Sequence, residues 1–195
     1  MKSISASPAR ALAQVELLKS CKVILDIGAG PGIHLSEMLK SNDDLYGILY
    51  DLSNVLKTTE SYLENEGLLS RTDLIVGDMF MDSWPLVNSK GLRVDTIFMS
   101  QILHDWDLET GYSLIVKAYN SLESGGLLLV HEKLLNSTRT GPVATAMVSL
   151  DMLFWTQGQQ YSREKLQEMM EKAGFLNFFS ISTTGYWSLS GAYKL

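Results

Sequence analysis

The chain has 195 residues, enough to bury a core without disulfides or structural metals, and its 16 Lys and Arg against 22 Asp and Glu leave a net charge of −6. That balance, with no local basic patch, repels a polyanion and sets nucleic acid aside as a partner. A lone Cys21 makes no intrachain disulfide, Cys21 with His34, His104 and His131 has no metal-ligand spacing, no apolar run approaches the ~20 residues of a membrane span, and residues 1–10 lack a signal-peptide core, so a cytoplasmic, metal-free protein is expected.

In chain order, Leu12, Val15, Leu17 and Leu18 recur near helical spacing and predict a helix from Pro8 to Ser20, with Cys21 as a half-buried thiol ahead of the first strand. Lys22 to Ile27 is nearly all apolar, as a parallel strand covered on both faces must be. A glycine loop then opens a helix over Ile33 to Lys40, and Ser41 to Asp44 turns the chain into a strand over Leu45 to Tyr50. The alternation continues with a helix from Asn54 to Glu66, strands over Asp73 to Val76 and Val94 to Ser100, a helix over Thr110 to Leu122 and a strand over Leu127 to Glu132. Such alternation predicts right-handed crossovers and a parallel sheet between helix layers. Residues 136–160 carry Met147, Met152, Leu153, Phe154 and Trp155 and read as a helix over the sheet edge, its apolar residues either core or pocket wall. A helix over Arg163 to Ala173 stops at Gly174, and strands over Phe178 to Thr183 and Trp187 to Leu195 face each other across Gly185-Tyr186 as a terminal antiparallel hairpin.

The chemistry gathers at strand ends. Gly28, Gly30 and Gly32 follow a buried strand and open a helix, where glycine lets the backbone turn tightly and approach a ligand. A dinucleotide fingerprint needs a glycine at position 33, where Ile33 stands, so the loop departs from the NAD pattern. Asp51 ends the second strand, placed to accept hydrogen bonds from both hydroxyls of a ribose, or else to cap the helix that follows. Gly77-Asp78-Met79-Phe80 ends the third with an acceptor for an exocyclic amine and side chains able to pack an adenine.

Asp26 to Gly32, Tyr50-Asp51-Leu52, Gly77 to Phe80, Leu103-His104-Asp105-Trp106 and Ala173-Gly174-Phe175 together resemble the small-molecule S-adenosylmethionine-dependent O-methyltransferases of the caffeate and acetylserotonin type. The resemblance implies an α/β fold: a Rossmann-like seven-stranded methyltransferase sheet with helices on both faces and a C-terminal antiparallel hairpin. It implies residues 22–195 as the methyltransferase domain, residues 1–21 as a lead-in helix, S-adenosylmethionine as cofactor and S-adenosylhomocysteine as product. Gly28 and Gly30 would line the methionine part, Asp51 the ribose, and Asp78 with Met79 the adenine, with Asp26, Gly32, Leu52, Phe80 and Ser100 completing the cofactor site. By the same resemblance His104 is the general base toward a hydroxyl of a small aromatic acceptor, oriented by Glu132. The acceptor pocket is assigned to Trp106, Met147, Asp151, Met152 and Trp155. Asp105 reads as a residue at a helix N-terminus, and His34 and His131 as packing or solvated residues.

Three departures from the family stand out. Ser100 replaces a usual lysine, and Gln160 replaces a usual second carboxylate beside the histidine. Residues 1–21 have room for one short helix and not for the helical domain that dimerises and closes over the acceptor in relatives, so either the chain is a minimal domain or a homodimer or partner chain supplies that cover. A non-catalytic cofactor-binding or interaction subunit, a redeployed enzyme of different chemistry, and N-methylation remain as other functional readings of the same residues.

Overall fold

The computed structural model describes residues 2–195 and divides into two compact units, the first ending at Ser100 and the second spanning Gln101–Leu195. In the first, α1 (Lys2–Ala13) is followed by a short 3-10 helix, Glu16–Ser20. The expected single helix is therefore two, because Val15 between them is extended, with φ −70° and ψ 119°. Periodicity could not register a break that leaves Leu12 and Leu18 both buried. Cys21 is also more deeply placed than expected, at 3 % exposure, and burial pushes its thiol up to about 11.

β1 (Val23–Ile27) is buried at every position, with α2 (Ile33–Ser41), β2 (Tyr46–Asp51), α3 (Ser53–Asn65), β3 (Thr72–Val76) and β4 (Thr96–Ser100) following. The strands run parallel in the order β3-β2-β1-β4. Parallel register sets Ile27 beside Tyr50 and Asp51 beside Val76, so the carboxyl ends of β1, β2 and β3 finish together. α1 packs on α2, and Arg71 ties the loop before β2 by donating to the Leu39 and Asn42 carbonyls at 2.8 and 2.9 Å.

The second unit holds a 3-10 turn (Leu103–Asp105), α4 (Leu108–Ser121), β5 (Leu127–Lys133), α5 (Val143–Trp155), α6 (Arg163–Ala173), β6 (Leu176–Thr184) and β7 (Trp187–Tyr193). β7 lies between β5 and β6, antiparallel to both, and Thr184 pairs with Trp187 around a two-residue turn with Gly185 at φ 55°. α6 has the bounds its signals predict: Ser162 Oγ accepts from Lys165 N, and Gly174 takes the left-handed conformation that ends the helix.

α5 is oriented against its composition. Thr145 is fully buried, whereas Val143, Met147, Leu150, Phe154 and Trp155 are exposed, the last two at 83 %. α5 therefore presents an apolar side to the outside and buries a hydroxyl.

Candidate active site

In the first unit the loop after β1 puts Gly28, Gly30 and Gly32 at φ 67°, 56° and 73°, all in the left-handed region that favours glycine. Its N–H groups are spoken for: Gly28 and Ala29 donate to the Tyr50 carbonyl, Gly32 to that of Ala29, and Gly30 to Asp51 Oδ2 at 2.8 Å. With Pro31 lacking an N–H, no donor from 28 to 32 is left for a pyrophosphate, while the space in front of Gly30 is open to 4 Å. The loop thus suits a ligand that needs close approach rather than phosphate binding.

Asp51 braces this loop through Oδ2 and accepts from Leu52 N through Oδ1 at 2.7 Å. Each carboxylate oxygen has a second lone pair, so two acceptor positions remain for hydroxyls of a ribose. Leu52, half exposed, stands beside it as an apolar surface. Asp26 is 3 % exposed, and burial, with the Asp51 charge second, holds its carboxyl well above the usual range. Asp78 Oδ1 accepts from Phe80 N and Met81 N at 2.8 and 3.3 Å, a local turn in which Oδ2 takes no part. Tyr50 Oη donates to the Asp78 carbonyl and Trp84 Nε1 to that of Met79, at 3.1 and 3.0 Å, fixing the segment that presents Met79 and Phe80. Ser100 Oγ lies 3.4 Å from His34 Nε2, and burial pulls His34 down to about 4. His34 is therefore neutral and packed, consistent with a packing role.

In the second unit His104 Nδ1 and Glu132 Oε2 are 2.6 Å apart, with side-chain exposures of 10 and 2 %. Glu132 Oε1 accepts from Ile102 N at 3.1 Å. Gln101 turns the chain into this arrangement at φ 57°, a left-handed conformation costly for a non-glycine residue, while its N–H donates to the His131 carbonyl. Both carboxylate oxygens therefore act, one on the imidazole and one on the backbone of its own turn. With Nδ1–H donated to Glu132, Nε2 is the atom left to accept a proton. Burial pulls the imidazole down, but the charge and hydrogen bond of Glu132, with Asp105 adding to them, outweigh it and leave His104 above its ordinary value.

A family model described as an O-methyltransferase domain matches residues 2–176. The chain belongs to this O-methyltransferase family. It is 30 % identical over 172 residues to a 3-hydroxy-5-methyl-1-naphthoate 3-O-methyltransferase of Streptomyces sahachiroi, covering 88 % of this chain and 48 % of that protein. Against the acetylserotonin O-methyltransferase of Gallus gallus it is 32 % identical, covering 78 % of this chain and 42 % of that protein. The chain thus spans about half the length of the curated relatives it matches. Among solved structures it resembles an O-methyltransferase family 2 protein from Planctomyces limnophilus in complex with apigenin (TM-score 0.87, 32 % identity, 99 % of this chain and 60 % of that one). It also resembles human N-acetylserotonin methyltransferase in complex with SAM (TM-score 0.87, 25 % identity, 99 and 53 %). The fold is accordingly the seven-stranded mixed sheet with helices and a C-terminal antiparallel hairpin expected from the sequence.

Within this O-methyltransferase domain, one expected role changes. Asp105 is not at the start of α4: Asp107 caps that helix, accepting from Thr110 N at 2.7 Å, because Trp106 is extended and separates the 3-10 turn from α4. Asp105 Oδ1 instead lies 3.4 Å from His104 Nε2, a placement that motif reading missed. Of the residues assigned to the acceptor pocket, Trp106 and Met152 are half-buried, whereas Met147, Asp151 and Trp155 recur every fourth residue along the open side of α5. His131 is fully buried, stacked on Trp187 at 4.9 Å and 3.1 Å from Thr183 Oγ1, a packing residue as expected. Among the described residues no group of three or more His, Cys, Asp or Glu could hold a metal ion, and no helix is long and apolar enough to cross a membrane.

Proposed function

We propose that this chain is the catalytic domain of an S-adenosylmethionine-dependent O-methyltransferase, residues 22–195 led in by 1–21, acting on a hydroxyl of a small aromatic molecule. The observation that carries the reading is the buried His104–Glu132 pair, in which the carboxylate fixes the tautomer that leaves Nε2 as a base. The named activities of the relatives, on a hydroxynaphthoate and on acetylserotonin, support a hydroxylated aromatic acceptor.

Gly28 and Gly30 offer close backbone approach to the methionine part of the cofactor, and Asp51 receives the ribose. Asp78 with Met79 would receive the adenine, with Leu52 and Phe80 as apolar surface for it, and Asp26, Gly32 and Ser100 would complete the surround. A cofactor held there would supply a methyl group carried on a sulfonium for transfer to the acceptor oxygen. His104 Nε2 accepts the hydroxyl proton, Glu132 stabilises the resulting imidazolium, and Asp105 offers that proton a second carboxylate. Trp106, Met147, Asp151, Met152 and Trp155 form the acceptor wall. The open side of α5 is covered by a second copy, a partner chain or a further domain, and the protein works in the cytoplasm.

The test is S-adenosylhomocysteine release across phenols, hydroxyindoles, quinols and carboxylates, followed by single-turnover rates on the best acceptor. His104→Ala should lower the rate by ~10² to 10⁴-fold and leave calorimetric cofactor affinity unchanged. An unchanged chemical rate would remove His104 from the mechanism and leave positioning alone to explain catalysis.

A further inference from the structure

Gln160 is 1 % exposed, yet both Oε1 and Nε2 lack a hydrogen-bond partner. The hydroxyl of Thr145, fully buried on α5, is orphaned in the same way. Ser149, one turn beyond Thr145, accepts from Gln160 N through Oγ at 3.1 Å, so the face of α5 that carries both hydroxyls lies against the segment holding Gln160. That segment in turn adjoins the catalytic turn: a side chain at Gly158 would meet the His104 carbonyl, and Tyr161 Oη donates to the Leu103 carbonyl at 3.3 Å.

Buried polar atoms are nearly always paired, because each one left unpaired has lost its hydration with nothing in return. Three orphans, on α5 and on the segment packed against the turn that carries the base, therefore mark a place for a polar ligand group. The chemistry of the orphans limits that group. Gln160 presents an NH₂ that only donates and a carbonyl oxygen that only accepts, and Thr145 can act as either, so a single group that satisfies both ends of the amide must itself both donate and accept. A hydroxyl does so, whereas an ether oxygen or a carboxylate satisfies only the donor and an ammonium only the acceptor.

We propose that Gln160 and Thr145 form a recognition socket for a second hydroxyl of the acceptor, next to the one that His104 deprotonates. The proposal rests on the methyl-transfer reading for its geometry, but its test does not need turnover. A neutral amide here selects by hydrogen bonding without adding a second buried charge to the His104–Glu132 pair.

The experiment titrates the full chain, saturated with S-adenosylhomocysteine, with catechol, 2-methoxyphenol and phenol by calorimetry, and measures kcat/KM for catechol and phenol with S-adenosylmethionine. Catechol should bind at least about 10-fold more tightly than phenol, with 2-methoxyphenol between them. Gln160→Leu should bring catechol to within about 2-fold of phenol, and Thr145→Val should act in the same direction by less. Gln160→Met, closer in shape, replaces the leucine variant if circular dichroism or cofactor binding shows the latter misfolded. A catechol-to-phenol ratio untouched by these variants, or no catechol preference in the unmodified chain, overturns the socket and assigns the site to a structural water. Gln160-dependent catechol binding without methylated product would refute the methyl-transfer reading and leave the socket standing. Methylation with selectivity independent of Gln160 would do the reverse.

Discussion

Glu132→Gln tests the proposed role of the His104–Glu132 pair most stringently, because the structure asks two things of one carboxylate. Oε2 accepts from His104 Nδ1 at 2.6 Å and Oε1 from Ile102 N at 3.1 Å. Glutamine has one oxygen and one NH₂ group, so it can meet only one of these donors. If its oxygen stays on Ile102, the NH₂ faces Nδ1, which must become an acceptor, and the proton moves to Nε2. The base is then blocked, and methylation should fall by ~10² to 10⁴-fold. If the amide turns over, the Ile102 N–H is buried without a partner, at a cost of about 1 to 3 kcal/mol in folding stability. Preserved shape therefore does not soften this substitution. The pH dependence has a definite sign. His104 must be neutral to act, and its value is held above the ordinary one, so activity in the unmodified chain falls as pH drops through that raised value. Removing the Glu132 charge leaves burial as the largest influence, and the acid limb of the profile should move to lower pH. Single-turnover rates across the pH range, with urea unfolding alongside, read all three quantities. Full activity, unchanged stability and an unmoved acid limb together would refute the two-point role of Glu132.

Asp51→Ala removes the acceptor that braces Gly30 N, so calorimetry should show S-adenosylhomocysteine binding weaker by ~1 to 3 kcal/mol; unchanged affinity, or a preference for NADH, would overturn the assignment of this loop. His34 is held down to about 4 by burial, so the unfolded chain takes up its proton first and folding stability is lost as pH falls from about 6.5 toward 4. The loss from this residue is about 3 kcal/mol, and His34→Gln should lose that much less than the unmodified chain in urea unfolding between neutral pH and about pH 4.5, whereas parallel pH curves would show that His34 is not the cause.

Local signals carried most of the fold. The nearly all-apolar run of β1, the serine and glycine that bound α6, and the two-residue turn before Trp187 are written in neighbouring residues, and each element forms where its signals lie. Glycines spaced after a strand and acids at strand ends marked the rim where β1, β2 and β3 finish together in the same way, because the bonds that build a parallel sheet's rim follow strand order. The pair of His104 and Glu132 was also legible, but only through family resemblance. Nothing local relates two residues that meet by the packing of a turn against the end of β5. What the tertiary structure alone decided are the partners brought in from elsewhere. Ile102 N takes the second carboxylate oxygen, Asp105 faces Nε2 rather than capping α4, and α5 turns Thr145 inward and Phe154 outward. Gln160 looked like a lost carboxylate in the sequence; its burial without a partner makes it a feature in its own right. Residue type and spacing fix what a short segment can form, whereas the satisfaction of a buried polar atom depends on groups far away in the chain, which only the packed molecule assembles.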